Sequence, residues 1–388
     1  ELLRRCLAAA MVDFLLEEWG KEQFLANYSK QLPAPTERKI LEQSWQRYLN
    51  RLQKNREEVS QGHAWKPQLP SFQKGMTFAH EGYRIYNGYG SALARKSLDS
   101  LSRLAVNALA IVPYSGSREI NSPVEYRFSR GSGSENDASV VHAHFAARRR
   151  GMTSLLKPQI WFPGSWPGEL EMRNEGDWQQ FFAYYRDWIT HYAMLAEIHR
   201  MEVFCVGVEF AQATLSHPSE WRILIRDLRK IYSGAITYAA NWGEEIENLA
   251  FGDELDFIGA NCYYPLSKKS SPSDAELFAG ARKAIDRIEK VARKYNKPVL
   301  LTEVGFRSIR QPWSQPHAEA NGQAYDEEAQ ARCYEAILKA AHNREWLRGF
   351  YWWKWPSYIP NSGEQRTSFS PCGKEAEKIL SQWYRETY

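Results

Sequence analysis

Several common signatures are missing from this sequence, and each absence narrows what the chain can do. The five cysteines (Cys6, Cys205, Cys262, Cys333 and Cys372) include no C-x-x-C pair and are odd in number. That spacing implies neither a disulfide framework nor a zinc knuckle. Cys205 and Cys262 sit in apolar runs and read as buried thiols. No apolar run is long enough to cross a membrane. The net charge is only +4 over 388 residues, too little for the concentrated basic face that nucleic acid demands. Arg148 to Arg150 reads as a solvated helix end. There is no P-loop, no G-x-S-x-G elbow, and no glycine-rich phosphate turn after the first strand. No cofactor is therefore expected. His142 and His144 are the nearest approach to a metal pair. They stand two apart in a helical pattern, where side chains diverge, and no Cys or Asp joins them, so no metal site is expected. The chain begins at Glu1 rather than Met, so the expectation is a processed or truncated chain. Oligomeric state is not legible.

What is present is an ordinary globular composition with an aromatic excess. Hydrophobic residues make up 43% and charged residues 25%, which rules out a disordered chain. Aromatics reach 14%, with 15 Trp, and this favours a ligand that stacks on rings, although Trp also fills cores.

Residues 1–62 form a helical segment. Leu7, Met11, Phe14, Leu15 and Trp19 recur at helical spacing, and Gly20 reads as a C-cap. A second helix carries Ile40, Leu41, Trp45, Tyr48 and Leu49. Residues 63–73, with Pro67 and Pro70, read as a linker. From residue 74 to 388 the rhythm is strand then helix, eight times. The strands are Gly75–His80, Ala108–Val112, Thr153–Gln159, Val203–Val208, Ala235–Ala240, Leu255–Asn261, Pro298–Glu303 and Gly349–Trp355. This alternation predicts an α/β fold, a (β/α)8 TIM barrel with an N-terminal helical appendage.

Active sites of such barrels lie at the C-terminal ends of the strands. Two strands, the fourth and the seventh, end in a glutamate, Glu209 and Glu303. A carboxylate there is costly to desolvate unless it is paired or used. Both a catalytic pair, as glycoside hydrolysis requires, and two structural ion pairs at the rim fit this spacing. The other strand ends supply candidate substrate-binding residues: His80, Lys157, Trp161, Asn241, Trp242, Tyr263, Tyr264, Trp353 and Trp355. Carboxylates and aromatics with few other charges suit a neutral, hydroxyl-rich ligand better than a phosphate or a metal. By period two, Trp353 and Trp355 share a face, and one of them is expected to floor the cleft, with Trp352 turned to the helices.

The phrases GMTFAHEGY, CVGVEF, VLLTEVGF and GFYWWKW, in that order, resemble glycoside hydrolase family 113 of clan A. The likeness spans about residues 74–388. It implies a β-mannanase-like retaining hydrolase acting on a carbohydrate, with Glu209 as acid/base and Glu303 as nucleophile. Another β-glycan, or a non-catalytic carbohydrate-binding barrel, are the alternatives. An extracytoplasmic compartment is the expectation that follows from such a function. Two departures stand out. Val208 replaces the Asn that clan A families commonly carry before the acid/base, leaving Asn241 as a candidate for the sugar 2-hydroxyl. The second strand lacks the Arg that often orients the nucleophile, leaving Lys157 or Arg84 as substitutes. Separately, the segment MVDFLLEEWGKEQFLANYSK and LEQSWQRYL resembles the C-terminal helices of gluzincin-type peptidase domains. The H-E-x-x-H motif is absent, so no peptidase activity carries over. That likeness implies the tail of a longer protein, the alternative being a helical extension of the barrel.

Overall fold

Buried apolar runs too short for helices become the parallel strands of a closed barrel in the computed structural model. It describes residues 2–27, 38–51, 65–80, 85–131, 134–359 and 366–388. The chain divides into two units, residues 1–66 and 67–388.

In the first unit, α1 (Leu2–Asn27) and α2 (residues 38–51) pair through one aromatic knot. Phe14 is buried with its ring 5.2 Å from Trp45 and 5.5 Å from Tyr48. Trp45 and Tyr48, three residues apart on one helical face, stack on each other. Glu17 with Arg51 and Glu18 with Ser44 flank the knot. Gly20, at φ 75°, interrupts α1 as its capping role predicts, but helix resumes and runs on to Asn27.

Among the described residues of the second unit ten strands form two sheets. They are β1 (Gln73–Ala79), β2 (Ala108–Ile111), β3 (Tyr114–Gly116), β4 (Thr153–Leu156), β5 (Gln159–Trp161), β6 (Val203–Val208), β7 (Ala235–Asn241), β8 (Phe257–Asn261), β9 (Val299–Val304) and β10 (Leu347–Pro356). The barrel closes in the order β1-β10-β9-β8-β7-β6-β4-β2, and β3 pairs with β5 outside it. All these pairings are parallel. Ala108, Ala110, Leu155, Val203, Cys205, Leu300 and Tyr351, from alternating strand positions, meet in one buried cluster. Cys205 and Cys262 are buried free thiols.

The helices between the strands include α3 (Ala92–Ser102), α4 (Asp137–Arg148), α5 (Glu175–His199), α6 (Ala211–Ser216), α7 (Pro218–Arg229), α8 (Glu244–Asn248), α9 (Asp274–Tyr295), α10 (Glu327–Ala341) and α11 (Glu375–Glu386). Ser273 starts α9 with a complete capping box, its hydroxyl on the Glu276 amide and the Glu276 carboxylate on its own amide. Leu277, Ala281, Ala284, Ile285 and Ile288 form the face that α9 buries.

One expected strand is corrected. The run from Thr153 to Gln159 is two strands, because Pro158 has no N–H to donate and the ladder stops at Leu156. Past the end of β4 the Lys157 amide still donates to the Ile111 carbonyl at 2.9 Å, just where the cleft begins. The expected alternation of Trp353 and Trp355 is also corrected. Met76 pairs with Trp352 and Phe78 with Trp355, so β10 carries one extra residue between them. That bulge puts the two side chains in different places.

Candidate active site

The local sequence sets Glu303 first. It is the penultimate residue of β9, held there by its carbonyl accepting from the Cys262 amide at 2.7 Å. Two residues on, Gly305 leaves room for the neighbouring strand end: a Cβ there would lie 2.3 Å from the Trp353 carbonyl oxygen. The Glu303 carboxylate is 7% exposed, so its partners decide its state. Lys157 Nζ donates to its Oε1 at 2.5 Å, and Gln159 Nε2 to the same oxygen at 2.9 Å. Tyr263 donates its hydroxyl to Oε2 at 2.9 Å. Lys157 is fully buried, gives a second bond to the Thr302 carbonyl, and lies 5.4 Å from the centre of the Trp353 ring. Every donor on Glu303 favours the ionised form, and one of them is a cation.

Glu209 stands one residue past β6, at φ 56°, the left-handed region that only a few non-glycine residues occupy. Its amide donates to the Ala239 carbonyl at 2.9 Å. Its carboxylate is half-buried and accepts one bond, from Asn261 Nδ2 at 2.9 Å. Asn261 is itself fixed, since Thr302 donates to its Oδ1 at 2.9 Å. With one neutral donor against three on Glu303, the two carboxyls have opposite environments. Burial, and next the charge of Glu303, push the Glu209 carboxyl up to about 8. A neutral acid and an ionised carboxylate facing one cleft is the division of labour that acid/base and nucleophilic roles require.

The two glutamates line one cleft of about 510 Å³. Trp161, Trp166, Asn241, Trp242, Tyr263 and Trp353 line it with them. Trp161 is exposed at the cleft's edge. Lys157 acts from behind, through Glu303. Three of the candidate binding residues lie away from this cleft. His80 is buried with its ring nitrogens on Glu135 and Asn87. Tyr264 donates to Glu247, accepts from the Gly243 amide, and faces a neighbouring cavity. Trp355 is 1% exposed and donates its indole N–H to Ser97 Oγ at 2.9 Å. Trp352 stacks on Tyr334 of α10, facing the helices as its strand parity predicts. Arg84 lies outside the described residues; Lys157 occupies the position beside Glu303.

Sequence reasoning missed Gln159, Asn261, Thr302 and Glu245. Gln159 follows Pro158, whose missing N–H is the sequence signal for the break. Asn261 ends a strand, and its register partners Asn241 and Glu303 place it between the two sides of the site. Glu245 has no sequence signal, since it lies in the short helix α8. It is buried and accepts from Tyr238, from Thr214 and from the Asn241 amide, at 2.7, 2.9 and 2.6 Å. Tyr238 in turn accepts from the amide of Phe210, next to Glu209. Burial pushes the Glu245 carboxyl up to about 7. Glu245→Ala would strand three donors under both Glu209 and Asn241. The expected cost is about 3 kcal/mol, read from urea unfolding. An unchanged midpoint would show that the donors find other partners. Among the described residues no group of His, Cys, Asp and Glu could hold a metal ion. No helix among them is long and apolar enough to cross a membrane.

The sequence profile of Glycoside Hydrolase Family 113 matches residues 76–374. A solved family 113 β-1,4-mannanase is 27% identical, with a TM-score of 0.72, over 82% of this chain and all of that one. The family 113 β-mannanase AaManA from Alicyclobacillus acidocaldarius, solved with ManMIm, is 26% identical, with a TM-score of 0.71, over 81% of this chain and 98% of that one. A β-glucuronidase from Ruminococcus gnavus shares the barrel alone, at 13% identity and a TM-score of 0.57 over 82% of this chain and 51% of that one. A search of curated proteins gives no match. Nothing in these comparisons supports the peptidase likeness of the N-terminal segment. The profile covers most of the barrel and both strand-end glutamates, and on that ground the chain belongs to glycoside hydrolase family 113 and is a glycoside hydrolase.

Proposed function

We propose that this protein is a retaining β-mannanase, with Glu303 as nucleophile and Glu209 as general acid/base. The observation that carries the reading is the asymmetry of the two carboxyls. Glu303 accepts from Lys157, Gln159 and Tyr263, whereas Glu209 accepts from Asn261 alone and is pushed towards its neutral form. In the first step a Glu303 oxygen bonds to the anomeric carbon and the glycosidic C–O bond breaks. The proton of Glu209 goes to the departing oxygen. In the second step Glu209 removes a proton from water, the water oxygen bonds to the anomeric carbon, and the Glu303 carboxylate is released. Trp353, half-buried, lines the cleft beside Lys157 and is the candidate platform for a sugar ring. Asn241, at the end of β7, lines the cleft, which supports it as the candidate for the 2-hydroxyl that Val208 cannot bind. The β-1,4-mannanase likeness of two solved relatives favours mannan among β-glycans.

Because Glu209 must be protonated to donate, activity should fall as pH rises through about 8. In Glu209→Gln that alkaline limb should disappear along with most turnover. A pH-rate profile with no limb between about 7 and 9 would remove Glu209 from the acid role. The substrate is tested by product analysis on manno-, gluco- and xylo-oligosaccharides. Cleavage of the manno series alone supports mannan, and cleavage of another series alone overturns it.

A further inference from the structure

A second cavity of about 510 Å³ lies beside the catalytic cleft, and Trp242 lines both. Its aromatic wall is Trp242 and Tyr264, whose rings meet edge to face at 5.3 Å. Helix α9 closes the opposite side. Gly280 lets it press on the loop after β8, since a Cβ there would lie 1.8 Å from the Leu266 carbonyl oxygen. Backbone packing therefore sets the separation of α9 and this loop on that side of the cavity.

Its charged residues differ in kind from the catalytic cleft's. The charged residues lining the cleft are Glu209, Glu303 and Glu319, all acidic. The second cavity is lined by Lys268, Lys269, Lys283 and Arg287 against one carboxylate, Glu276. Lys269 pairs with Glu276, and Arg287 pairs with Glu247 while lying over the Tyr264 ring. Lys268 and Lys283 have no ion-pair partner among the described residues. A neutral sugar needs a ring platform and hydroxyl partners but not two uncompensated cations. An anionic group finds no unpaired cation among the residues lining the cleft, and is attracted to Lys268 and Lys283 beyond Trp242.

We propose that this cavity is a subsite for a sugar bearing an anionic group, a carboxylate or a phosphate. Its ring would lie against Trp242, and its charge between Lys268 and Lys283. The substrate class is then an acidic mannan or mannan oligosaccharide. This rests on the mannan reading of the neighbouring cleft.

The test is a calorimetric titration in a Glu303→Gln background, which blocks turnover. The probes are mannohexaose, mannohexaose with a glucuronate branch, and mannohexaose phosphate. At least one acidic probe is expected to bind about 10-fold or more tighter than the neutral one. That advantage should shrink as salt rises and vanish in Lys268→Glu/Lys283→Glu, and also in Lys268→Gln/Lys283→Gln. Which acidic probe gains identifies the source of the charge. Neutral and acidic probes bound equally would overturn the subsite and leave the mannan reading standing. So would an acidic preference that survives charge reversal. Binding of no probe would overturn the mannan reading, and the subsite with it.

Discussion

Glu303→Gln is expected to lower mannan turnover by at least about 10⁴-fold while the chain still folds. The amide keeps the size of the carboxylate, so packing in the cleft survives. It loses the negative charge that attacks the anomeric carbon, and no neighbouring group replaces it. Three donors converge on Glu303, and an amide NH₂ must face at least one of them. Some loss of stability is therefore expected as well, on the order of 1–3 kcal/mol for a stranded buried donor. A further consequence concerns its neighbour. The charge of Glu303 is the second cause, after burial, of the raised Glu209 carboxyl. Removing it should move Glu209 down towards the ordinary carboxylate range, which an NMR titration of the carboxyl carbon reads without any turnover. Residual activity within about 10-fold of wild type would exclude Glu303 as nucleophile.

Lys157→Met carries the second large effect. Lys157 is fully buried, and among the described residues its ammonium is the one cation on Glu303. Methionine keeps the length and the apolar stem but removes the charge. Glu303 would then sit 7% exposed with two neutral donors. Breaking a buried pair by removing one partner costs about 3–5 kcal/mol, because the remaining charge is uncompensated. A carboxylate driven towards its neutral form is also a poor nucleophile, and kcat/KM should fall by about 10²–10³-fold. Lys157→Arg should not restore activity, since the larger planar guanidinium has no room in a fully buried site. Urea unfolding and steady-state kinetics on the same preparations separate the two losses. A Lys157→Met protein with wild-type turnover would reduce Lys157 to a packing role.

The barrel was legible because its strands are short apolar runs between amphipathic helices, and that period survives without any tertiary knowledge. Glu209 and Glu303 were legible for a related reason. Each is a charge at the end of a strand, and a barrel sends strand ends to one face. The supports around them were not. Asn261, Thr302 and Gln159 are neutral residues at or near strand ends, with no signal of their own. Only the register that aligns Asn261 with Glu303 and Asn241 brings them together. Trp355 illustrates the converse. Strict alternation places it with Trp353, and the bulge on β10 sends its indole to Ser97 instead. His80 was misjudged because strand parity gives direction but not partners, and Glu135, which binds its Nδ1, comes from a distant loop. Glu245 could not be found at all, since its role depends on three donors contributed by β7 and α6.

The most direct test follows the anomeric configuration of the first product by proton NMR as mannohexaose is cleaved, before mutarotation scrambles it. Attack by Glu303 on one face, followed by water on the opposite face that the leaving group has vacated, gives the β-anomer first, and that is the expected result. The α-anomer as first product would mean a single displacement. It would contradict a covalent intermediate on Glu303 and recast that residue as the base that activates water.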